Sequence, residues 1–142
     1  MQNKYFFFAA TLLFLDQVTK FFARRAQPDN NFFFLIYNPG GALGIFPTAN
    51  EALIVLSVFA ILLLAVGITR SQHLEAIGFA VVLAGVAGNG IDRIFFSAVT
   101  DFIRFFDLFI FNLADVYITL GVVYLLLLEL DWVKQALQKK RV

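Results

Sequence analysis

The chain has 142 residues, enough for one domain, and 61% of them are hydrophobic, against roughly 45–50% in soluble domains. Only 15% are charged and the net charge is +1, so the composition indicates a membrane protein and predicts no nucleic-acid partner. The lack of cysteine excludes thiol chemistry, and the single histidine, His73, nearly excludes a histidine metal centre or a Ser-His-Asp triad. We therefore predict no metal and no cofactor.

The first predicted span covers residues 5–22. Its start resembles a signal peptide, but no small-residue cleavage site follows, so we expect an uncleaved helix. The span reaches full length only by including Asp16 and Lys20, which are four residues apart and share one helix face. Two interpretations stay open: an ion pair that makes the helix end tolerable, or a direct role in a site.

An extramembrane segment is predicted after the first span. The stretch NFFFLIYN, residues 31–38, is rich in aromatic and branched residues, and glycines follow it. This pattern predicts a strand and a turn, with a hairpin partner in GALGIF, residues 41–46. The polar stretch NPGG, residues 38–41, belongs to the same segment.

The second and third spans are predicted at residues 52–69 and 76–95. The second span contains no charged residue, whereas the third reaches full length only by including Asp92 and Arg93. Asn89 and Arg93 share a helix face, and the neighbouring glycines are typical of close helix packing. Asp92 has a plain alternative role, which is to compensate an arginine.

The last elements are an aromatic, amphipathic segment at residues 102–111 and a fourth span at residues 114–131. We predict an interfacial helical segment for the first, with Arg104 and Asp107 on its polar side. The fourth span must include Asp115. Three of the four spans thus carry an ionisable residue at or near membrane depth, where such residues are costly and indicate function.

Four spans put both termini on one side, and the basic tail after residue 133 places that side in the cytoplasm. The unusual polar residues then converge on the extracytoplasmic end. The predicted fold is a mainly α membrane protein with four transmembrane helices, a small extracytoplasmic β element and an interfacial helical segment. We predict a single integral-membrane domain over residues 1–142.

Asp101 and Asp115 could form a catalytic pair. Two carboxylates held close can share one proton, which raises the pKa of one of them; one then activates water while the other polarises a carbonyl. The same aspartates, with Asp16, would also suit a small ion-coupled transporter, and a non-catalytic assembly protein is a third alternative. The short chain, the absence of repeated halves and the one-sided cluster weigh against a transporter.

Five motifs occur in the order LDQVTK, NPGG, GNGIDR, VTDF and FNLAD. Together they resemble the lipoprotein signal peptidase, or bacterial signal peptidase II, family. The resemblance implies a membrane aspartyl endopeptidase of the bacterial cytoplasmic membrane, which removes the signal peptide of prolipoproteins just before a diacylglyceryl-modified cysteine. It implies Asp101 and Asp115 as the catalytic pair and Asp92 as a reserve candidate. It also implies a supporting or substrate-contacting shell of Asp16, Lys20, Asn38, Gly40, Asn89, Arg93, Asn112 and Ala114.

The partners implied by the resemblance are lipid-modified prolipoproteins and membrane lipids, and we expect a monomer. Two departures from the family pattern stand out. Pro39, Gly41 and Leu43 alter the first extramembrane motif, and the stretch between the two aspartates is short. Both differences affect parts expected to contact substrate, so they concern substrate fit more than chemistry.

Overall fold

The fold is described by a computed structural model that covers residues 2–40, 50–106 and 108–139, with only the backbone for residues 131–139. The predicted hairpin partner at 41–46 and Asp107 lie outside the described residues. The elements follow the order α1 (Asn3–Ala26), β1 (Phe33–Asn38), α2 (Asn50–Arg70), α3 (His73–Phe96), β2 (Val99–Phe105), β3 (Phe109–Phe111) and α4 (Leu113–Lys139).

Four helices are long and apolar enough to cross a membrane, which confirms the four predicted spans. They cover Asn3–Ala26, Asn50–Arg70, His73–Phe96 and Leu113–Leu130. Large apolar side chains on their outer faces are exposed, including Phe7 at 77% and Val55 at 68%. Such a surface suits lipid rather than water, because soluble proteins rarely expose extended apolar patches.

Helix α3 is the centre of the bundle. The other three helices pack against it, whereas α2 and α4 scarcely touch each other. The predicted role of the glycines in close packing is confirmed at two positions. A Cβ atom on Gly85 would collide with the carbonyl oxygen of Ala114, and one on Gly88 would collide with the carboxylate of Asp16. These contacts require the absence of a side chain and bring α1, α3 and α4 together.

A three-stranded antiparallel sheet, in the order β1-β2-β3, covers one end of the bundle. The predicted strand at β1 is confirmed, and its partner is β2, where Ile36 lies opposite Asp101 and Asn38 opposite Val99. The predicted interfacial helix at 102–111 is wrong, because residues 102–105 lie in β2 and Phe109–Phe111 form β3. Aromatic and branched residues suit strands as well as helices, and pairing with the distant β1 decides between them.

The sheet end of the bundle, where α1 and α3 end and α2 and α4 begin, gathers the polar motifs. The opposite end contains His73, whose Nδ1 atom lies 2.6 Å from the hydroxyl oxygen of Tyr5. This difference between the two ends follows the one-sided distribution predicted from the sequence.

Candidate active site

Asp101 lies in β2 with a carboxylate held by neutral amides. Its side chain is almost fully buried, at 3% exposed. The Oδ1 atom accepts a hydrogen bond of 2.6 Å from the Nδ2 atom of Asn112, and Oδ2 accepts one of 3.1 Å from the Nδ2 atom of Asn38. Two amide donors therefore fix the orientation of this carboxylate without neutralising its charge.

Asp115 lies in the first turn of α4, and Asn112 directly precedes the helix. The backbone N–H of Asp115 donates to Oδ1 of Asn112 at 3.0 Å, while the backbone N–H of Asn112 donates to Oδ2 of Asp115 at 3.1 Å. This reciprocal arrangement is a capping box, which satisfies two backbone donors at the start of a helix. The aspartate that begins the fourth span thus stabilises its own helix, and its carboxylate is held in one orientation.

Two asparagines connect the two carboxylates. The Nδ2 atom of Asn112 donates both to Asp101 and, at 3.2 Å, to Oδ1 of Asn89. The Nδ2 atom of Asn89 donates in turn to Oδ1 of Asp115 at 2.8 Å. One continuous hydrogen-bonded chain therefore runs from Asp101 through Asn112 and Asn89 to Asp115.

Both aspartates line a cavity of about 650 Å³ at the sheet end of the bundle. Its polar lining includes Asn38, Asn89 and Arg93, which are grouped around the carboxylates. The remaining walls are mostly apolar and come from β3 and from the facing sides of α2, α3 and α4. Because α2 and α4 scarcely touch, the cavity continues into the gap between these two helices.

The environment of Asp101 favours its protonated form. Burial raises the pKa of Asp101 to about 6, and the negative charge of Asp115 acts in the same direction. The hydrogen bonds from Asn38 and Asn112 and the charge of Lys20 oppose this shift. A carboxyl group that titrates this close to neutrality can exchange a proton under ordinary conditions, as general acid–base chemistry requires.

Arg93 supports the cavity without forming an ion pair with either aspartate in the described chain. Its guanidinium donates to the carbonyl of Gly40 at 3.1 Å and to that of Asn89 at 3.4 Å. The backbone N–H of Gly40 donates to Oδ1 of Asn38 at 3.1 Å. Arg93 thus fixes the turn that follows β1, and with it the amide that contacts Asp101.

A family model described as signal peptidase (SPase) II matches residues 8–130. The chain belongs to the signal peptidase II family. Similar proteins are named lipoprotein signal peptidase. The relative from Dehalococcoides mccartyi is 36% identical to this chain, and the match covers 86% of this chain and 87% of the relative. The relative of Beijerinckia indica is 38% identical over 83% of this chain and 77% of its own. The relative from Microcystis aeruginosa is 34% identical, and the match covers 89% of this chain and 92% of the relative.

Two solved structures of bacterial membrane enzymes share the fold. One superposes with a TM-score of 0.82 at 23% identity, covering 91% of this chain and 88% of the other. The second gives a TM-score of 0.78 at 24% identity, covering 90% of this chain and 93% of the other. The arrangement of four helices and a small sheet is therefore common to this signal peptidase II family member and to these enzymes.

Behind the cavity of this signal peptidase II family member lies a buried ion-pair network. The Nζ atom of Lys20 lies 3.0 Å from Asp16, 3.3 Å from Asp92 and 2.9 Å from Oδ1 of Asn89. The ion pair between Asp16 and Lys20, one of the two alternatives that their spacing left open, is present in the structure. Asp16 also accepts a hydrogen bond of 2.9 Å from the backbone N–H of Ala114, so α1 holds the start of α4 directly.

Asp92, the reserve catalytic candidate, does not line the cavity. It accepts a hydrogen bond of 2.9 Å from the backbone N–H of Thr100 and lies 3.5 Å from Arg24. Its contacts with Lys20 and Arg24 agree with the alternative of charge compensation. Asp92 therefore joins the ends of α1 and α3 to the start of β2.

Arg24 and Thr100 were missed by the sequence reasoning. Arg24 donates to the hydroxyl of Thr100 at 2.9 Å, and its guanidinium lies 4.3 Å from the ring centroid of Phe96. One signal was available, because Arg24 follows Lys20 by four residues and extends the helix face that starts at Asp16. Thr100 carries no such signal, since its hydroxyl is contacted by an arginine that lies 76 residues earlier.

No group of three or more metal-ligating side chains that could hold a metal ion lies among the described residues. The carboxylates of the site are instead occupied by amide and ammonium donors, as in the contacts of Asp101 and Asp16. The arrangement around Asp101 and Asp115 is suited to proton transfer between two carboxyl groups and a water molecule.

Proposed function

We propose that this protein is a membrane aspartyl endopeptidase that removes the signal peptide of prolipoproteins just before a diacylglyceryl-modified cysteine. The observation that carries the proposal is the pair Asp101 and Asp115 in one cavity, linked through neutral asparagine amides. Membership of the signal peptidase II family and relatives named lipoprotein signal peptidases support the substrate class.

In the proposed mechanism the two carboxyl groups have different protonation states. Asp101, whose pKa is raised to about 6, holds the shared proton and polarises the scissile carbonyl. Asp115 accepts a proton from the attacking water, so that the new C–O bond forms as the carbonyl oxygen gains negative charge. Collapse of the tetrahedral intermediate breaks the C–N bond, and the leaving amine takes a proton from the pair.

We further propose that both termini are cytoplasmic and that the sheet end faces the extracytoplasmic side of the bacterial cell membrane. The signal segment would enter from the bilayer through the gap between α2 and α4, whose walls are apolar. The protein would act as a single integral-membrane domain and as a monomer, with prolipoproteins and membrane lipids as its partners. The transporter alternative has no comparable support, since the carboxylate cluster lies at one end of the bundle.

The test is cleavage by the purified protein of a prolipoprotein that carries the diacylglyceryl modification. We expect a shortened product from the native protein and a loss of turnover of about 10³-fold or more for Asp101→Asn and for Asp115→Asn, because neither amide can transfer the proton. Asp29→Asn is the matched control, since Asp29 is exposed and lines neither cavity. Substantial turnover by either active-site variant would disprove the catalytic assignment.

The proposed orientation of the protein in the membrane can be tested with single cysteines, because the chain has no native cysteine. Phe106→Cys and Arg70→Cys place a thiol at exposed positions on opposite ends of the bundle. A membrane-impermeant maleimide should label Phe106→Cys in intact cells and Arg70→Cys only after permeabilisation. The reverse pattern would invert the proposed topology.

A further inference from the structure

The two outer edges of the sheet differ. The edge of β1 is covered, because the backbone N–H of Leu35 donates to the carbonyl of Pro28 at 3.0 Å and Asp29 forms a bridge with Phe34. No segment in the described ranges pairs with the outer edge of β3. Alternate residues of such an edge direct their backbone N–H and C=O groups outward, where an extended chain can pair with them.

The uncovered edge lies beside the proposed catalytic pair. Strand β3 ends at Phe111, and the next residue is Asn112, which contacts Asp101. Phe109 and Ile110 line the main cavity and also a second cavity of about 470 Å³ on the sheet. Asp101 lines both cavities as well, so β3 lies beside the carboxylates and beside both cavities.

We propose that the substrate residues that follow the scissile bond pair with the outer edge of β3 as a fourth strand. This inference rests on the proposed peptidase function. A substrate that arrives from the bilayer passes the carboxylates and leaves towards the second cavity. Because β3 runs towards the carboxylates, the added strand is antiparallel to it.

Pairing at this edge solves a physical problem of membrane-bound substrates. A peptide bond must lie in extended backbone to be attacked by water, so the substrate chain has to leave its helical conformation near the cleavage point. Its N–H and C=O groups thereby lose their partners within the helix and need new ones at the membrane surface. Strand β3 supplies backbone partners over a length of about 10 Å, which suffices for about three substrate residues.

The same arrangement predicts that the site accepts many sequences after the cleavage point. Pairing through the main chain gives affinity that is independent of side chains, whereas pockets give side-chain preference. We therefore expect weak side-chain selectivity for the residues that follow the modified cysteine and a strong requirement for their backbone N–H groups.

The experiment uses the unaltered enzyme and synthetic diacylglyceryl lipopeptides in which single amides after the modified cysteine are N-methylated. N-methylation removes a donor and keeps the side chain. We expect kcat/KM to fall about tenfold or more at every second position, because only alternate residues of a strand point towards the neighbouring strand. The positions between them should change by less than about threefold.

Lipopeptides with altered side chains at the same three positions are the control, and their kcat/KM should stay within about threefold of the parent. Cleavage of all methylated peptides at the parent rate would disprove the pairing with β3. An equal loss at every position would also disprove it, because it would indicate steric exclusion rather than a strand. Failure to cleave the unmodified lipopeptide would disprove the proposed peptidase function itself, and this inference with it.

Discussion

The molecule contains two pairs of aspartates in contrasting environments. Asp16 and Asp92 are fully buried, and each lies within 3.5 Å of a lysine or arginine nitrogen. Asp101 and Asp115 line a cavity, and the donors that reach them in the described chain are amides of asparagine side chains and backbone. The negative charges of the first pair are compensated by cations, whereas the carboxylates of the second pair are oriented by neutral amides.

This contrast distinguishes the two pairs more clearly than burial does. A carboxylate paired with a cation has its charge compensated and ties helices together, as Asp16 and Asp92 do. A carboxylate held by neutral amides keeps its position without that compensation, as at Asp101, whose pKa is raised to about 6. Lys20 and Arg93 contact other acids or backbone carbonyls, and neither forms an ion pair with Asp101 or Asp115 in the described chain.

The largest effect on stability should come from removing the cation of the buried pair. Lys20→Met leaves Asp16 and Asp92 without their shared partner, and breaking a buried pair in this way costs about 3–5 kcal/mol. Thermal unfolding in detergent measures the loss. Lys4→Met is the control, because Lys4 is exposed. Equal melting temperatures for the two variants would contradict the structural role of the network.

A smaller effect of opposite sign is expected at the oriented pair. The pKa of Asp101 is raised from 3.8 to about 6, so its contribution to stability is greatest below pH 3.8 and is lost as the pH rises through 6. Asp101→Asn abolishes this titration, and its stability relative to the native protein should increase by up to about 3 kcal/mol between pH 4 and pH 7. Part of the gain is offset because the new amide faces donors from Asn38 and Asn112.

Thermal unfolding of both proteins across this pH range provides the measurement, with Asp29→Asn as the control. A stability difference that stays constant with pH would show that Asp101 titrates as an ordinary aspartate. In that case the contrast between the two pairs would not extend to their protonation.

The smallest predicted effect concerns the side-chain amide of Asn38, which orients Asp101. The hydrogen bond from Asn38 lowers the pKa of Asp101. Because Asp101 acts in its protonated form in the proposed mechanism, Asn38→Ala should move the alkaline limb of the pH–rate profile upward by up to about one unit, since a hydrogen bond to a charged group contributes about 1.5 kcal/mol or more. Asn30→Ala, at an exposed position before β1, is the control. An unmoved alkaline limb would indicate that Asn38 only shapes the turn.

Much of the fold could be predicted from the sequence because membrane spans are local features. Four apolar stretches gave four helices, and their interruptions at Asp16, Asp92 and Asp115 marked the end of the bundle where the polar residues meet. The candidate site followed from motifs whose order resembles one family. The capping box is also local, since Asn112 and Asp115 are three residues apart.

The remaining features depend on contacts between distant parts of the chain. The hairpin of β2 and β3 could not be distinguished from an amphipathic helix, because its aromatic pattern suits both and its partner β1 lies more than 60 residues earlier. The hydrogen bond from Arg24 to Thr100 likewise joins residues 76 positions apart.

The gap between α2 and α4 has a consequence for how this protein encounters its proposed substrate. A signal segment that enters sideways from the bilayer diffuses in two dimensions, so the encounter rate depends on the number of substrate molecules per area of membrane. In detergent or lipid mixtures, extra amphiphile dilutes both molecules within that surface even when their concentrations in the tube are unchanged. Kinetic constants for such an enzyme are therefore properties of the mole fraction of substrate in the lipid phase.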